Sequence, residues 1–456
     1  MQTFLGRGKR LQAGLTICCL MAFVLFGYEQ GVFGGILENQ DWLDHCYNLG
    51  CFGGCIVNYF TGERLGRRRT MWLAMAFVVV GTTLQTSALT VAHLVVGRVI
   101  TGFGTGMKTP TVPMYQSELC DRQSRGRLVS AEVLFVGVGI TTAYWFDFGM
   151  SFVGGPVAWR LPVAVQMLFA LVVVVLICGL PESPRWLYKH GRSEEVLEVL
   201  CRVYDKDPAD EYILAEKNAI IAAIQLEYLE EETSRSFMSI FRNDQLKTGY
   251  RVVLACCIHF MNQVGGINLV VYYAPSVLIQ NVGISKQLAQ ILGGCINMML
   301  MFRSIIPSLA LDRMGRRRTM MAGCASISLC MLLMSILLSR SDTEQGHACS
   351  SAAVAFFFLY TLLFGMSAHC VPWVYLKLAV EFTVVMITPV ITNRLLRKAY
   401  LIFFATNTVF VPALFFFYPE TSNLRLEEVD HIFSHGGNPV AVAREVAKEQ
   451  EQQEVI

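Results

Sequence analysis

The chain has 456 residues, of which 54% are hydrophobic and only 16% charged, with a mean hydropathy of +0.47. That composition excludes an ordinary set of water-soluble domains and places the chain in a bilayer. The formal net charge of +2 decides little, because orientation in a membrane follows from which loops carry Lys and Arg.

Apolar stretches of about 17 to 25 residues, the length that crosses roughly 30 Å of hydrocarbon, recur between short charged or Gly/Pro-containing breaks. They place spans near 13–36, 47–62, 70–90, 92–116, 127–149 and 161–180, then near 250–279, 287–311, 319–338, 351–376, 378–394 and 400–418. The first follows Arg7, Lys9 and Arg10 without a small-residue cleavage site, so it reads as a retained helix. Span two is short, at about 16 residues against the roughly 20 a crossing needs. The run from Ser351 to Thr392 leaves almost no turn between spans ten and eleven, which meet at Lys377 as two truncated spans.

Arg64, Arg67, Arg68 and Arg69 follow span two, Arg122, Arg125 and Arg127 follow span four, and Arg313, Arg316, Arg317 and Arg318 follow span eight. These alternate as cytosolic loops do and put both termini inside. Glu38, Asp41 and Asp44 suit the outside, whereas Arg394, Arg397 and Lys398 break the pattern. Glu29 in span one and Arg98 in span four lie at depths where ionisable groups pair or line a pathway. Lys108 and Glu132 sit near cytosolic ends and fit snorkelling; Arg303 has no evident partner. The 15 cysteines form no CxxC pair or metal-site spacing and read as packing residues.

The chain repeats itself: "GERLGRRRTM" (Gly62 to Met71) returns as "LDRMGRRRTM" (Leu311 to Met320), and "PES" at Pro181 as "PETS" at Pro419. The expected organisation is all-α: a six-helix bundle over 1–190, a cytosolic linker over 191–248, a second six-helix bundle over 249–420 and a cytosolic tail over 421–456. Matching arginine loops give the halves the same orientation, as in carriers whose substrate site lies between two bundles. Within the linker, "SEEVLEVLCRVY" and "EYILAEKNAIIAAIQLEYLEE" have the periodicity of amphipathic helices.

Arginine forks pair with carboxylates at helix ends, so Arg64, Arg67, Arg68, Glu118, Arg125, Glu182 and Arg185 form one expected network. Asp312, Arg313, Arg316, Arg317 and Glu420 are its counterparts. Such clusters bias outward- against inward-facing states when they open and close, and positive-inside anchoring is the plainer alternative. In span seven, Gln263 and Asn268 reach one cavity only if Gly265 and Gly266 loosen the helix; their amides suit neutral hydroxylated ligands.

The motifs "GRVITGFGTG", "VPMYQSEL", "RGR", "PESPRWL", "NQVGGINLVVYYAP", "DRMGRRR" and "PETSNLRLEEVD" occur in one order over nearly the whole chain. The chain thereby resembles the sugar porter family of the major facilitator superfamily, of the fungal kind. The resemblance implies sugar contacts at Asn262, Gln263 and Asn268, closure by Tyr272 and Tyr273, stacking on Trp373, and proton coupling at Glu29 with Arg98 beside it. This chain departs from the family in having Asn262 where a glutamine is usual, Val133 where span five carries another, and "LKLAVEF" where a gating loop belongs. The loss of that loop predicts a weak or absent clamp in the second half.

Two function classes follow. One is a carrier of a hexose-like monosaccharide, a polyol or a quinate-like molecule, with the proton as coupling ion and no other cofactor. The other is a non-transporting relative, either a nutrient sensor or an inactive truncated product. No nucleophile, metal or phosphate-loop constellation points to an enzyme, and "GFGTG" reads as close helix packing. The expected partners are the sugar and the lipid, with no nucleic acid, a monomer sufficing, in the plasma membrane.

Overall fold

The computed structural model describes residues 5–32, 41–120, 125–233, 248–267, 270, 279, 284–314, 316–340, 346–367, 399–420 and 439–443. Every long element among them is a helix, and the chain divides into two compact units, Met1–Arg235 and Ser236–Ile456. The division falls inside the expected linker.

The first unit holds α1 (Lys9–Gly31), α2 (Asp41–Leu65), α3 (Arg67–Thr86), α4 (Val91–Leu119), α5 (Arg125–Met150) and α6 (Val157–Gly179), then α7 (Pro184–Lys189), α8 (Ser193–Tyr204) and α9 (Glu211–Thr233). Helix α4 packs against α2 and α3, and α1 against α5 and α6. Helix α2 has 25 residues and so extends beyond the apolar run of about 16 expected for span two. Its apolar run starts only near Tyr47, yet Asp41 and Asp44 favour the amino end of a helix, where the dipole attracts negative charge.

Glycines set the helix spacing. On α2, a Cβ at Gly50 or Gly54 would lie 2.3 Å from Val99 O or 2.1 Å from Phe103 O of α4; on α4, one at Gly102 or Gly106 would lie 2.2 Å from Tyr47 O or 2.0 Å from Cys51 O. The two backbones are therefore in direct contact, as small residues allow inside a bilayer. Between α2 and α3, Gly66 has φ 86°, and its missing Cβ would meet Glu182 Oε2 at 2.8 Å.

Helix α8 buries Val196, Val199, Leu200 and Val203, the spacing of one helical face. It docks on the start of α1, where Gly8 N–H donates to Arg202 O at 2.8 Å and Gln12 Nε2 to Val203 O at 3.1 Å. The linker helices thus belong to the first unit and are packed parts of it.

The second unit holds α10 (Thr248–Val264), α11 (Lys286–Met314), α12 (Arg316–Ser339), α13 (Gly346–Ser367) and α14 (Ala399–Phe417). Helix α12 packs against α13 and α14, and α11 against α13; Met331, Met334, Phe357, Tyr360 and Phe403 belong to their common core. Residues 368–398, with the expected junction at Lys377, lie outside the described residues. Five described helices, α1, α5, α6, α12 and α14, are long and apolar enough to cross a membrane by composition alone. Others dilute their hydropathy with polar residues, as α4 does with the buried Arg98 and Lys108.

Candidate functional site

Glu29 of α1 is fully buried, and its carboxylate accepts from three described side chains. Lys108 Nζ of α4 lies 3.2 Å from both oxygens, Tyr47 OH of α2 donates to Oε2 at 3.1 Å, and Thr105 Oγ1 of α4 donates to Oε2 at 2.5 Å. Arg98, also fully buried, donates through Nη1 to the main-chain carbonyl of Glu29 at 3.1 Å, and its guanidinium lies 4.8 Å from the centre of the Tyr47 ring. Removing one partner from such an arrangement strands a buried charge, at a cost of about 3–5 kcal/mol.

The expected neighbours Glu29 and Arg98 are together, but the described ion pair to the carboxylate comes from Lys108. Snorkelling is wrong for Lys108, which is 1% exposed, and for Glu132, equally buried, whose Oε1 has no hydrogen-bond partner among the described residues. The sequence did hold a signal, since Arg98, Thr101, Thr105 and Lys108 follow each other by three, four and three residues along one face of α4.

The arginine network joins the ends of helices within the first unit. Glu182, in the turn after α6, accepts the main-chain N–H of Arg67 at 3.0 Å and of Arg68 at 3.1 Å through Oε1. It caps α3, whose own N-cap, Gly66, has no side chain. Burial pushes the Glu182 carboxyl above its ordinary value, while the N–H donors of Ser183, Arg68 and Arg67 and the Arg67 charge pull it back. Arg67 Nη2 reaches Glu118 at 3.2 Å, and Ser183 Oγ also donates to Glu118. Tyr115 OH anchors the same turn at Pro181 O.

Arg64 is exposed and Arg185 half-buried, and neither forms a described bond within this cluster; the side chain of Arg125 is outside the described residues. The members missed from sequence are Glu63, Trp186 and Lys189. Trp186 Nε1 donates to Glu63 O at 2.7 Å, and Lys189 Nζ pairs with Glu63 Oε1 at 3.3 Å.

The second unit repeats the cap. Glu420 Oε2 accepts Arg317 N–H at 3.0 Å, and Arg317 Nη2 donates to Phe415 O, much as Arg68 Nη2 donates to Cys178 O at 3.2 Å in the first unit. This cap is separate from the second-half clamp expected to be weak or absent, whose loop lies outside the described residues. The lost loop does not bear on this contact, whose acid comes from "PETS". The side chains of Asp312, Arg313 and Arg316 lie outside the described residues.

Helix α10 ends at Val264, and Gly266 has φ 96°, so the glycine pair breaks the helix as expected. Tyr360 OH of α13 and Asn407 Nδ2 of α14 satisfy the freed Gly265 carbonyl, at 3.0 and 3.1 Å. Asn262 is buried, and together with Asn407 it lines a cavity of about 10 Å³, room for roughly one water. Asn268, Tyr272, Tyr273, Trp373 and the side chain of Gln263 lie outside the described residues.

A helical chain in two successive units, with a buried ion cluster shared by α1, α2 and α4, defines a multi-pass integral membrane protein. The profile of the family described as "Sugar (and other) transporter" matches residues 38–378 and 376–433. The MFS-type transporter oryC of Aspergillus oryzae is 35% identical over 95% of this chain and 87% of its own length. Sugar transporter STL1 of Saccharomyces cerevisiae is 31% identical over 97% and 85%. The proton:xylose symporter XylE, solved with 6-bromo-6-deoxy-D-glucose, matches with a TM-score of 0.75 at 19% identity, covering 93% of this chain and 99% of its own; this shows the major facilitator fold. The chain belongs to the sugar and other transporter family, and it is a transporter, not an enzyme.

Proposed function

We propose that the protein carries a hexose-like monosaccharide across the plasma membrane by alternating access, coupled to protons at Glu29, with both termini cytosolic. Polyols and quinate-like molecules are the neighbouring substrate classes. The observation that carries this reading is the match to the transporter family along nearly the whole chain, among whose relatives one is named a sugar transporter. The fold's likeness to a proton:xylose symporter agrees with it. A carboxylate and two cations buried together at α1 and α4 suit coupling, because intramembrane charges at such depth mark ion pathways. Asn262 and the broken end of α10 support recognition of hydroxyls in the second unit.

The test is uptake of radiolabelled D-glucose, D-xylose, glycerol and quinate in cells without endogenous hexose carriers, with and without an uncoupler. Accumulation of a sugar that the uncoupler abolishes is expected. Uptake indifferent to the uncoupler refutes coupling, and no uptake of any probe refutes transport of these classes. Glu29→Gln is expected to lose accumulation and keep exchange.

A further inference from the structure

The ammonium of Lys108 bonds only Glu29 among the described residues, and it lies equally close, 3.2 Å, to both carboxylate oxygens. Oε2 already accepts Tyr47 and Thr105. A proton arriving at either oxygen therefore meets Lys108, which is the described donor on Oε1 and the one described occupant of the two oxygens that carries charge.

We propose that Lys108 is a tethered cation that competes with the coupling proton for Glu29: the carboxylate holds either the ammonium or a proton. This rests on Glu29 as the coupling acid. Atoms balance simply. A proton from water bonds one carboxylate oxygen, the carboxyl becomes neutral, and the attraction that held the ammonium, itself still protonated, is lost. Release of the proton restores the ion pair.

The geometry separates the roles of the two cations. Arg98 is fixed to the main-chain carbonyl of Glu29 and stacked on Tyr47, so it holds the backbone and the wall of the site. Lys108, on a flexible stem, holds the titrating oxygens. Lys108 is thus a positioning and competing residue, and Thr105, one turn earlier on α4, keeps the carboxylate in place when the ammonium leaves.

The other groups facing α1 are few. Helix α2 supplies Tyr47, with Cys51 nearby. Helix α5 supplies Asp147 beside Tyr28 and Glu132 beside Cys19. The buried residues of α6 include no titratable side chain, and α8 meets only the beginning of α1 through Val203 and Arg202. None of these has a described bond to the carboxylate except Tyr47.

The test needs no substrate. The carboxyl band of the purified full-length carrier in detergent is titrated by infrared difference spectroscopy, with Glu29→Gln identifying the Glu29 component. Lys108→Gln and Lys108→Met are expected to half-protonate Glu29 at a proton concentration at least tenfold lower than the wild type, whereas Lys108→Arg, which keeps a cation, stays within about threefold. Should Lys108→Met fail to fold, Lys108→Gln retains hydrogen-bonding capacity and decides alone. Midpoints that coincide in the wild type and the neutral variants overturn the proposal. A shifted midpoint in a carrier whose uptake ignores the uncoupler leaves the competition standing and removes only the coupling role.

Discussion

Replacing Gly106 by alanine tests whether direct backbone contact between α2 and α4 sets the architecture of the first unit. A Cβ there would lie 2.0 Å from Cys51 O, 2.7 Å from its carbonyl carbon and 2.9 Å from its Cα, where ordinary contact begins near 3.4 Å. The shortfall at the oxygen is about 1.4 Å, and every opposing atom is backbone, so no rotamer change relieves it. The helices must separate, with overpacking costing about 3 kcal/mol, the upper part of its usual range. Alanine's better helix propensity returns about 1 kcal/mol, leaving a net loss of roughly 2 kcal/mol. Gly149→Ala is the matched control, since nothing lies within 4 Å of its Cβ position, and it is expected to be neutral or slightly stabilising. Thermal unfolding in detergent, followed by fluorescence-detected gel filtration of a tagged carrier, reads both. Equal melting of Gly106→Ala and Gly149→Ala would refute the contact.

Glu182→Ala leaves the Arg67 and Arg68 N–H groups uncapped and is expected to cost about 1–2 kcal/mol, with Glu182→Gln retaining most of it in the same melting assay. Because burial holds the Glu182 carboxyl above its ordinary 4.5, the folded state binds the proton more tightly than the unfolded one. Wild-type stability relative to Glu182→Gln should therefore rise as pH falls through the window just above 4.5; a difference independent of pH contradicts this. Tyr360→Phe should cost about 1 kcal/mol, because Asn407 still satisfies Gly265 O, and the double change with Asn407→Ala should cost more than the sum of the two. Simple additivity in melting would show that the two donors do not share that carbonyl.

Periodicity and small-residue spacing made much of the first unit legible. "SEEVLEVLCRVY" forms a packed amphipathic helix, "GFGTG" lies against the α2 backbone, and the duplicated arginine turns meet the duplicated glutamates. The start of α2 was not legible from hydropathy, since its first turns carry Asp41, Asp44 and Asn48. Lys108 was misjudged because proximity to a helix end in sequence says nothing about which neighbour the side chain faces; only the contact with α1 reveals Glu29. At the break in α10 the glycines announced the bend, but its donors come from Tyr360 and Asn407, 95 and 142 residues from Gly265, and no local pattern encodes partners at that distance. The role of the arginines was half visible: acids were expected against guanidinium groups, whereas Glu182 and Glu420 take main-chain N–H groups.

The cap on α3 comes from a residue 115 positions after Arg67, and that on α12 from one 103 positions after Arg317. During synthesis, the third and ninth spans therefore enter the bilayer with their amino ends unfinished and stay so until the last span of the same half has emerged. Each half carries its own completion mark, a glutamate that arrives at the end of its translation and fastens a turn made near its beginning. A half that stops short of Glu182 or Glu420 leaves the amino end of α3 or α12 without that fastening.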